Sequence, residues 1–281
     1  MTPMIVARTA TLPSSPPESP VDGRRPLAHL RLAASDSLVM IQRNLRVWLR
    51  VPAYLVFTVV QPAMFLLLFR YVFGGAIPVH SRGGYVNYLV PGIIGQTGAF
   101  TAFGTAIALS QELKKGTIDR LRSMPMARSA VLLGRLGADV CRLAVTLGIL
   151  IGLGYLVGFR FENGFGPALM MFVVALVFGL VVCCISAFTG LAIKDEESVQ
   201  AFGFIWVFPL TFVSAAFVQI HSMPGWMQAF AKNQPISVLI EEMRSLAIGG
   251  PLWTHGWQSA LWLGGLLILF STLAVRAYRR A

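Results

Sequence analysis

Between Gly83 and Gln111 the chain runs through 29 consecutive residues without one formally charged side chain. A helix rises about 1.5 Å per residue, so roughly 20 residues cross the hydrocarbon core of a bilayer. A run of this length suits a membrane-crossing helix. Six stretches have comparable reach, near 52–73, 86–111, 140–159, 167–193, 199–219 and 257–276. Composition agrees: 56% of the 281 residues are hydrophobic and 12% are charged, a balance that a soluble fold could not hide and that lipid tolerates. The expected fold class is an all-α integral membrane protein with six transmembrane helices.

The net charge of +11 would point a soluble chain toward nucleic acid. Flanking apolar spans, it reads as topology, and no nucleic-acid partner is expected. The basic residues from Arg8 to Arg50, from Lys114 to Arg142, Lys194, and from Arg276 to Arg280 fall on one side of the six spans. Arg70, Arg82, Arg160, Lys232 and Arg244 fall on the other. That asymmetry, eighteen against five, places both termini and the loop after the second span in the cytoplasm.

Three domains follow. Residues 1–26 include TLPSSPPESPVDGRRP, which cannot bury a core and reads as a disordered cytoplasmic tail rather than a signal peptide. In 27–50, Leu27, Leu30, Ala34, Leu38, Ile41, Leu45 and Trp48 recur at steps of three and four, with arginines opposite. This predicts an amphipathic helix lying on the membrane surface. Residues 51–281 form the transmembrane domain. Between spans five and six, 221–250 is too polar to cross and is cut by Pro224 and Pro235, so one or two short helices are expected on or dipping into the outer face.

Most chemistry is missing. There is no phosphate-binding G-x-x-x-x-G-K-[ST] loop, no H-E-x-x-H, no G-x-S-x-G and no cysteine–histidine cluster, so neither an enzyme nor a metal site is expected. Gly148 with Gly152, and Gly154 with Gly158, are G-x-x-x-G pairs of the kind that favours close helix packing. No span carries an acid near its middle, which argues against proton or sodium coupling. Energy for uphill movement would then come from another polypeptide.

The interruption after span two, ELKKGTIDRLRSMPMARS from Glu112 to Ser129, is where such a partner could act. Ile118 and Leu121 share a face, Arg120 and Arg122 project elsewhere, and Gly116 and Pro125 bracket a helix of about two turns. On these grounds the segment is either a topology-fixing loop or a docking site. Span five, FGFIWVFPLTFVSAAF, offers Phe202, Phe204, Trp206, Phe208, Phe212 and Phe217. Gln61, Gln96 and Thr97 are polar positions inside spans one and two, able to meet cargo or to bond a neighbouring helix.

The stretch from Glu112, through Gly116-Thr117 and Met124-Pro125, to Val131 resembles the signature loop of ABC transporter type 2 permeases, in particular the daunorubicin-resistance type of export permease. SAAFVQIHSMPGWMQAFAKNQPISVLIEEMRSL, 214–246, resembles the same family's segment after span five, with Met223-Pro224, Trp226, Pro235 and Arg244 in place. The resemblance implies a membrane permease subunit that exports a hydrophobic or amphipathic compound (a drug, lipid or natural product) from a bacterial plasma membrane. It implies a second permease half, identical or different, and a separate ABC ATPase subunit that binds ATP and Mg; this chain holds no cofactor. Carried onto this sequence, Glu112, Lys114, Lys115, Gly116, Thr117, Asp119, Arg120, Arg122, Pro125 and Arg128 form the coupling contact, with cargo passing spans two and five. The candidate pathway is Gln61, Gln96, Thr97, Phe204, Trp206, Phe208 and Phe212. The rival readings are a stand-alone secondary carrier or channel, an intramembrane enzyme, and a sensor or scaffold.

Overall fold

Among the residues that the structure, a computed structural model, describes (26–50, 52–75, 84–116, 128–193, 195–250 and 252–280) regular structure is helical throughout. We number the α-helices α1 Pro26–Arg50, α2 Pro52–Leu68, α3 Gly84–Lys114, α4 Arg128–Val157, α5 Phe165–Ala192, α6 Glu196–Phe212, α7 Gly225–Asn233, α8 Pro235–Ile248 and α9 Leu252–Arg280. A π-helical turn, Phe69–Phe73, extends α2, and a 3₁₀ turn, Ile220–Ser222, precedes α7. The tail before Pro26 lies outside the described residues.

Among the described residues, four helices are long and apolar enough to cross a membrane: Gly84–Lys114, Val131–Val157, Phe165–Ala192 and Gly256–Tyr278. Thr58–Phe73 is a shorter apolar helix. The third of the four has a mean hydropathy of 3.0, and its helix, α5, packs against α3, α4, α8 and α9 at the centre of the molecule. Glycines set the closest approaches. A Cβ on Gly190 of α5 would stand 2.5 Å from the Ala106 backbone oxygen of α3, so these two helices meet backbone to backbone. A Cβ on Gly148 or Gly152 would meet nothing within 4 Å, so that expected G-x-x-x-G pair makes no close packing among the described residues.

Two elements differ from their sequence-based bounds. The third span, expected near 140, begins as helix at Arg128, because its first turns pack against α1. Gly134 and Gly137 receive Met40 and Ile41 there. The packed side of α1 carries Ser37, Met40, Ile41, Asn44, Leu45 and Trp48, whereas Leu38 is 59% exposed. The expected apolar stripe is thus rotated.

The fifth span, expected to reach 219, is helical only to Phe212 and turns just after Pro209. Residues 213–218 form an irregular stretch whose polar groups are met by side chains. Gln234 Nε2 donates to the Val213 oxygen at 2.7 Å, and the Ala215 amide donates to Ser237 Oγ at 3.1 Å. The Tyr88 hydroxyl donates to the Ala215 oxygen at 3.1 Å. Such pairing is what non-helical backbone needs away from water. Gly92 of α3 lets this stretch come close: a Cβ there would lie 2.0 Å from the Ala216 oxygen. Pro235 opens α8 at a position where its missing amide costs nothing. Except for Pro235 and Glu241, every residue of α8 is buried, so this helix sits inside the core rather than on the surface.

Candidate functional site

A cavity of about 560 Å³ opens between α1, α2, α3 and α4. Its long wall is one face of α3, from Gln96 to Lys115, where lining residues recur at three- and four-residue steps. From Gln96 to Glu112 that wall is about 24 Å long at helical rise. The cavity therefore reaches from the C-terminal end of α3 deep along this apolar, membrane-length helix.

The end of the cavity near the C-terminus of α3 is charged. Glu112, near the end of α3, stands 3.9 Å from the Arg135 guanidinium of α4. Arg135 Nε is 3.4 Å from Asp139, and Asp139 is 3.2 Å from Arg142. The Thr105 hydroxyl donates to Asp139 Oδ2 at 2.8 Å. Asp139 is 3% exposed, and these partners meet its carboxyl oxygens where water does not reach. Arg135, Asp139 and Arg142 lie at i, i+4 and i+7 on α4, one face of the helix. Gly104 leaves room for the Arg142 guanidinium against α3, with a Cβ there falling 3.1 Å from its Nη2. Together these groups form a ladder of charge from the C-terminal end of α3 into the molecule.

The deep end is polar and aromatic. Gln96 is 3% exposed, lines the cavity, and has no partner for either amide atom among the described residues. Thr97 returns its hydroxyl to the Ile93 oxygen at 2.7 Å, the local bond that hides a threonine within a helix. Gln61, Phe65 and Phe100 complete this end.

Of the expected pathway residues, the cavity gathers Gln61, Gln96 and Thr97. It does not include Phe204, Trp206, Phe208 or Phe212 of α6. Val199, Gly203, Val207 and Thr211 are the buried stripe of α6, so Phe204, Phe208 and Phe212 stay largely exposed. They join a run of rings: Phe103–Phe204 at 4.7 Å, Phe100–Phe208 at 5.4 Å, Phe212–Phe217 at 5.4 Å and Phe69–Phe217 at 4.3 Å between centroids. Phe100 touches both regions. Trp206 is half-buried against the central core.

Of the expected coupling residues, Glu112, Lys114, Lys115 and Gly116 are described. Gly116 takes φ +61°, the left-handed conformation that closes a helix. Lys114 bonds Asp195 at 3.0 Å, and Gln111 donates to Glu196 at 2.6 Å, so the end of α3 is tied to the start of α6. Asp195 also caps α6 by accepting from the Ser198 amide at 3.0 Å. The Ser198 amide first, then Lys114 and the Ser198 hydroxyl, hold the Asp195 carboxyl down at about 2. Arg128 opens α4. Thr117, Asp119, Arg120, Arg122 and Pro125 lie outside the described residues.

Away from the cavity stands a buried arginine, Arg244 of α8, 4% exposed. It donates to the backbone oxygens of Tyr88, Ala215 and Ala216 and pairs with Glu241 at 2.8 Å. Sequence reasoning placed Arg244 in a motif but not in this role, and it missed the ladder on α4. The i, i+4, i+7 spacing of Arg135, Asp139 and Arg142 was the available signal.

Comparison with known proteins bears on both ends. Residues 36–248 match the sequence model of the ABC-2 type transporter family. The chain is 35% identical over 251 residues to the daunorubicin resistance ABC transporter permease protein DrrB1 of Streptomyces coeruleorubidus, covering 88% of this chain and 87% of that protein. It is 29% identical over 252 residues to the probable doxorubicin resistance ABC transporter permease protein DrrC of Mycobacterium tuberculosis, covering 89% and 91%. It is 24% identical over 213 residues to the inner membrane transport permease YadH of Escherichia coli, covering 73% and 78%.

Proposed function

This chain belongs to the ABC-2 type transporter family, and on that premise we propose that it is the permease subunit of an ATP-driven exporter. It moves a hydrophobic or amphipathic compound outward across a bacterial plasma membrane. A separate ABC ATPase, which binds the ATP and Mg, supplies the energy.

In this reading α2 with its π-helical extension, α3, α4, α5, α6 and α9 are the six spans, α1 lies along the inner membrane surface, and both termini are cytoplasmic. The segment 112–129 receives the ATPase, with Lys114, Lys115, Gly116, Thr117, Asp119, Arg120, Arg122, Pro125 and Arg128 as its contact. The exposed rings of α6 face a second permease half, identical or different.

The observation that most supports the reading is the charge ladder. It begins at Glu112, the first residue of the proposed docking segment, and ends at Asp139 and Arg142 in the wall of a deep cavity. Buried ions held in one geometry resist deformation, so a displacement of the loop is passed to the cavity wall.

The test is purification from the native cell in mild detergent, followed by reconstitution into vesicles. A stoichiometric ATPase with a phosphate-binding loop should co-purify, and export should require it. Reversing charge at both Arg120 and Arg122 should leave membrane insertion intact and uncouple ATP hydrolysis from export. Vectorial transport by the chain alone would make it a secondary carrier or channel instead.

A further inference from the structure

The cavity between α1, α2, α3 and α4 has properties that narrow what can occupy it. Four cationic side chains line it, Arg43, Lys115, Arg135 and Arg142, against two carboxylates, Glu112 and Asp139. Asp139 is committed to both α4 arginines and to Thr105, and Glu112 leans on Arg135. Asp139 and Arg142 sit about halfway along, level with Gly104 and Thr105, so at the mouth the exposed Arg43 and Lys115 and the partly buried Arg135 face Glu112 alone, an excess of positive charge. About 24 Å deeper along α3, Gln96 offers a donor and an acceptor with no partner among the described residues. Between the two ends the walls carry Ile107, Ala108 and Leu143 beside the internally paired Asp139 and Arg142, and Phe65 and Phe100 flank Gln96 at the deep end. A volume of about 560 Å³ suits one drug-sized molecule and is too small for both chains of a phospholipid.

We propose that this cavity is a binding site for a single drug-sized amphiphile with an acidic end, its anion at the Arg43–Lys115 mouth and a carbonyl or hydroxyl on Gln96. Resting on the exporter reading, it is where cargo is first held, on the inner side and apart from the α6 aromatics. The unpartnered amide of Gln96 is decisive here. A membrane lipid anchored at the mouth would lay a hydrocarbon tail on it and leave it unpaired, which costs free energy. A molecule with a polar group at that depth satisfies it. A cationic cargo would meet the wrong sign of charge.

The full chain in phosphatidylcholine nanodiscs is titrated with dansylaminoundecanoic acid and with a dansyl alkylamine of matched length, reading dansyl emission excited through tryptophan, since Trp48 lines the cavity. The acid should bind saturably and about ten-fold more tightly than the amine, a difference of about 1.4 kcal/mol. Gln96→Leu should weaken the acid several-fold. Arg43→Gln combined with Lys115→Gln should abolish the preference while the amine's affinity holds, and Lys232→Gln on the outer surface should change neither. Equal binding of acid and amine, or indifference to both cavity variants in protein that elutes as a single species, overturns the proposal. Replacing phosphatidylcholine by phosphatidylglycerol, or adding inorganic phosphate, separates the sources of anion: displacement of the acid by either assigns the site to a lipid or a bare ion and also overturns it. Loss of this binding with ATP-driven export intact would remove the site but not the permease. Intact binding in the nanodiscs, together with failure of any ATPase to co-purify from the native cell, would do the reverse.

Discussion

The guanidinium carbon of Arg244 stands 3.4 Å from the centre of the Tyr88 ring, and its Nε donates to the backbone oxygen of the same residue at 3.0 Å. One side chain thus joins α8, α3 and the irregular stretch after α6. Arg244→Ala leaves the Ala216 carbonyl and the Glu241 carboxylate without this cation, and should lower stability by about 3 kcal/mol. Arg244→Lys should recover part of the loss, because an ammonium cannot fork between several oxygens. Thermal unfolding in detergent reads both, and an unchanged midpoint for Arg244→Ala would refute the role.

Asp139→Asn leaves the partly buried Arg142 beside a neutral amide and Arg135 with Glu112 alone. The expected cost is on the order of 3 kcal/mol, because Arg142 then lacks its counter-charge. Adding Arg142→Gln should return a measurable part of it, giving a coupling of about 1 kcal/mol or more in a double-mutant cycle. Strict additivity of the two changes would show that the groups do not act together.

Glycines of similar sequence context should behave oppositely. Gly92→Ala would put its Cβ into the Ala216 backbone oxygen, and Gly190→Ala into that of Ala106; each should cost about 1–3 kcal/mol. Gly152→Ala meets nothing within 4 Å and lies inside α4, so it should be neutral or stabilising by up to about 1 kcal/mol. Unfolding midpoints of the three variants decide this.

The pH response of the inner turn has a defined sign. Asp195 is held at about 2 against an ordinary 3.8, so its contribution is present in full above 3.8 and is lost as pH falls through 2. The Lys114–Asp195 contact should therefore persist from neutral pH to about pH 4. Asp195→Asn keeps a capping oxygen but removes the charge. It should release Lys114, seen as faster amide hydrogen exchange at the inner ends of α3 and α6, with no further change between pH 4 and pH 7.

Helix positions were legible because lipid-crossing helices announce themselves by length and lack of charge. Gly84–Lys114 and Phe165–Ala192 start and stop within a few residues of the expected spans. What escaped was whatever depends on tertiary contact. The early start of α4 is stabilised by Met40 and Ile41 of α1, and the end of α6 at Phe212 by side chains from α8 more than twenty positions away. Gln61, Gln96 and Thr97 were found as polar residues in apolar runs, and they do share a cavity. The α6 aromatics were found by composition, which says nothing of the side of a helix on which a ring stands. Their four-residue interleaving with Val199, Gly203, Val207 and Thr211 turns them away from the cavity.

Lys114 on Asp195 and Gln111 on Glu196 have a mechanical consequence. They yoke the C-terminal tip of α3 to the N-terminal tip of α6. A tug on the polypeptide just beyond Gly116 is shared by two pillars at once, one walling the chamber and the other bearing the exposed rings.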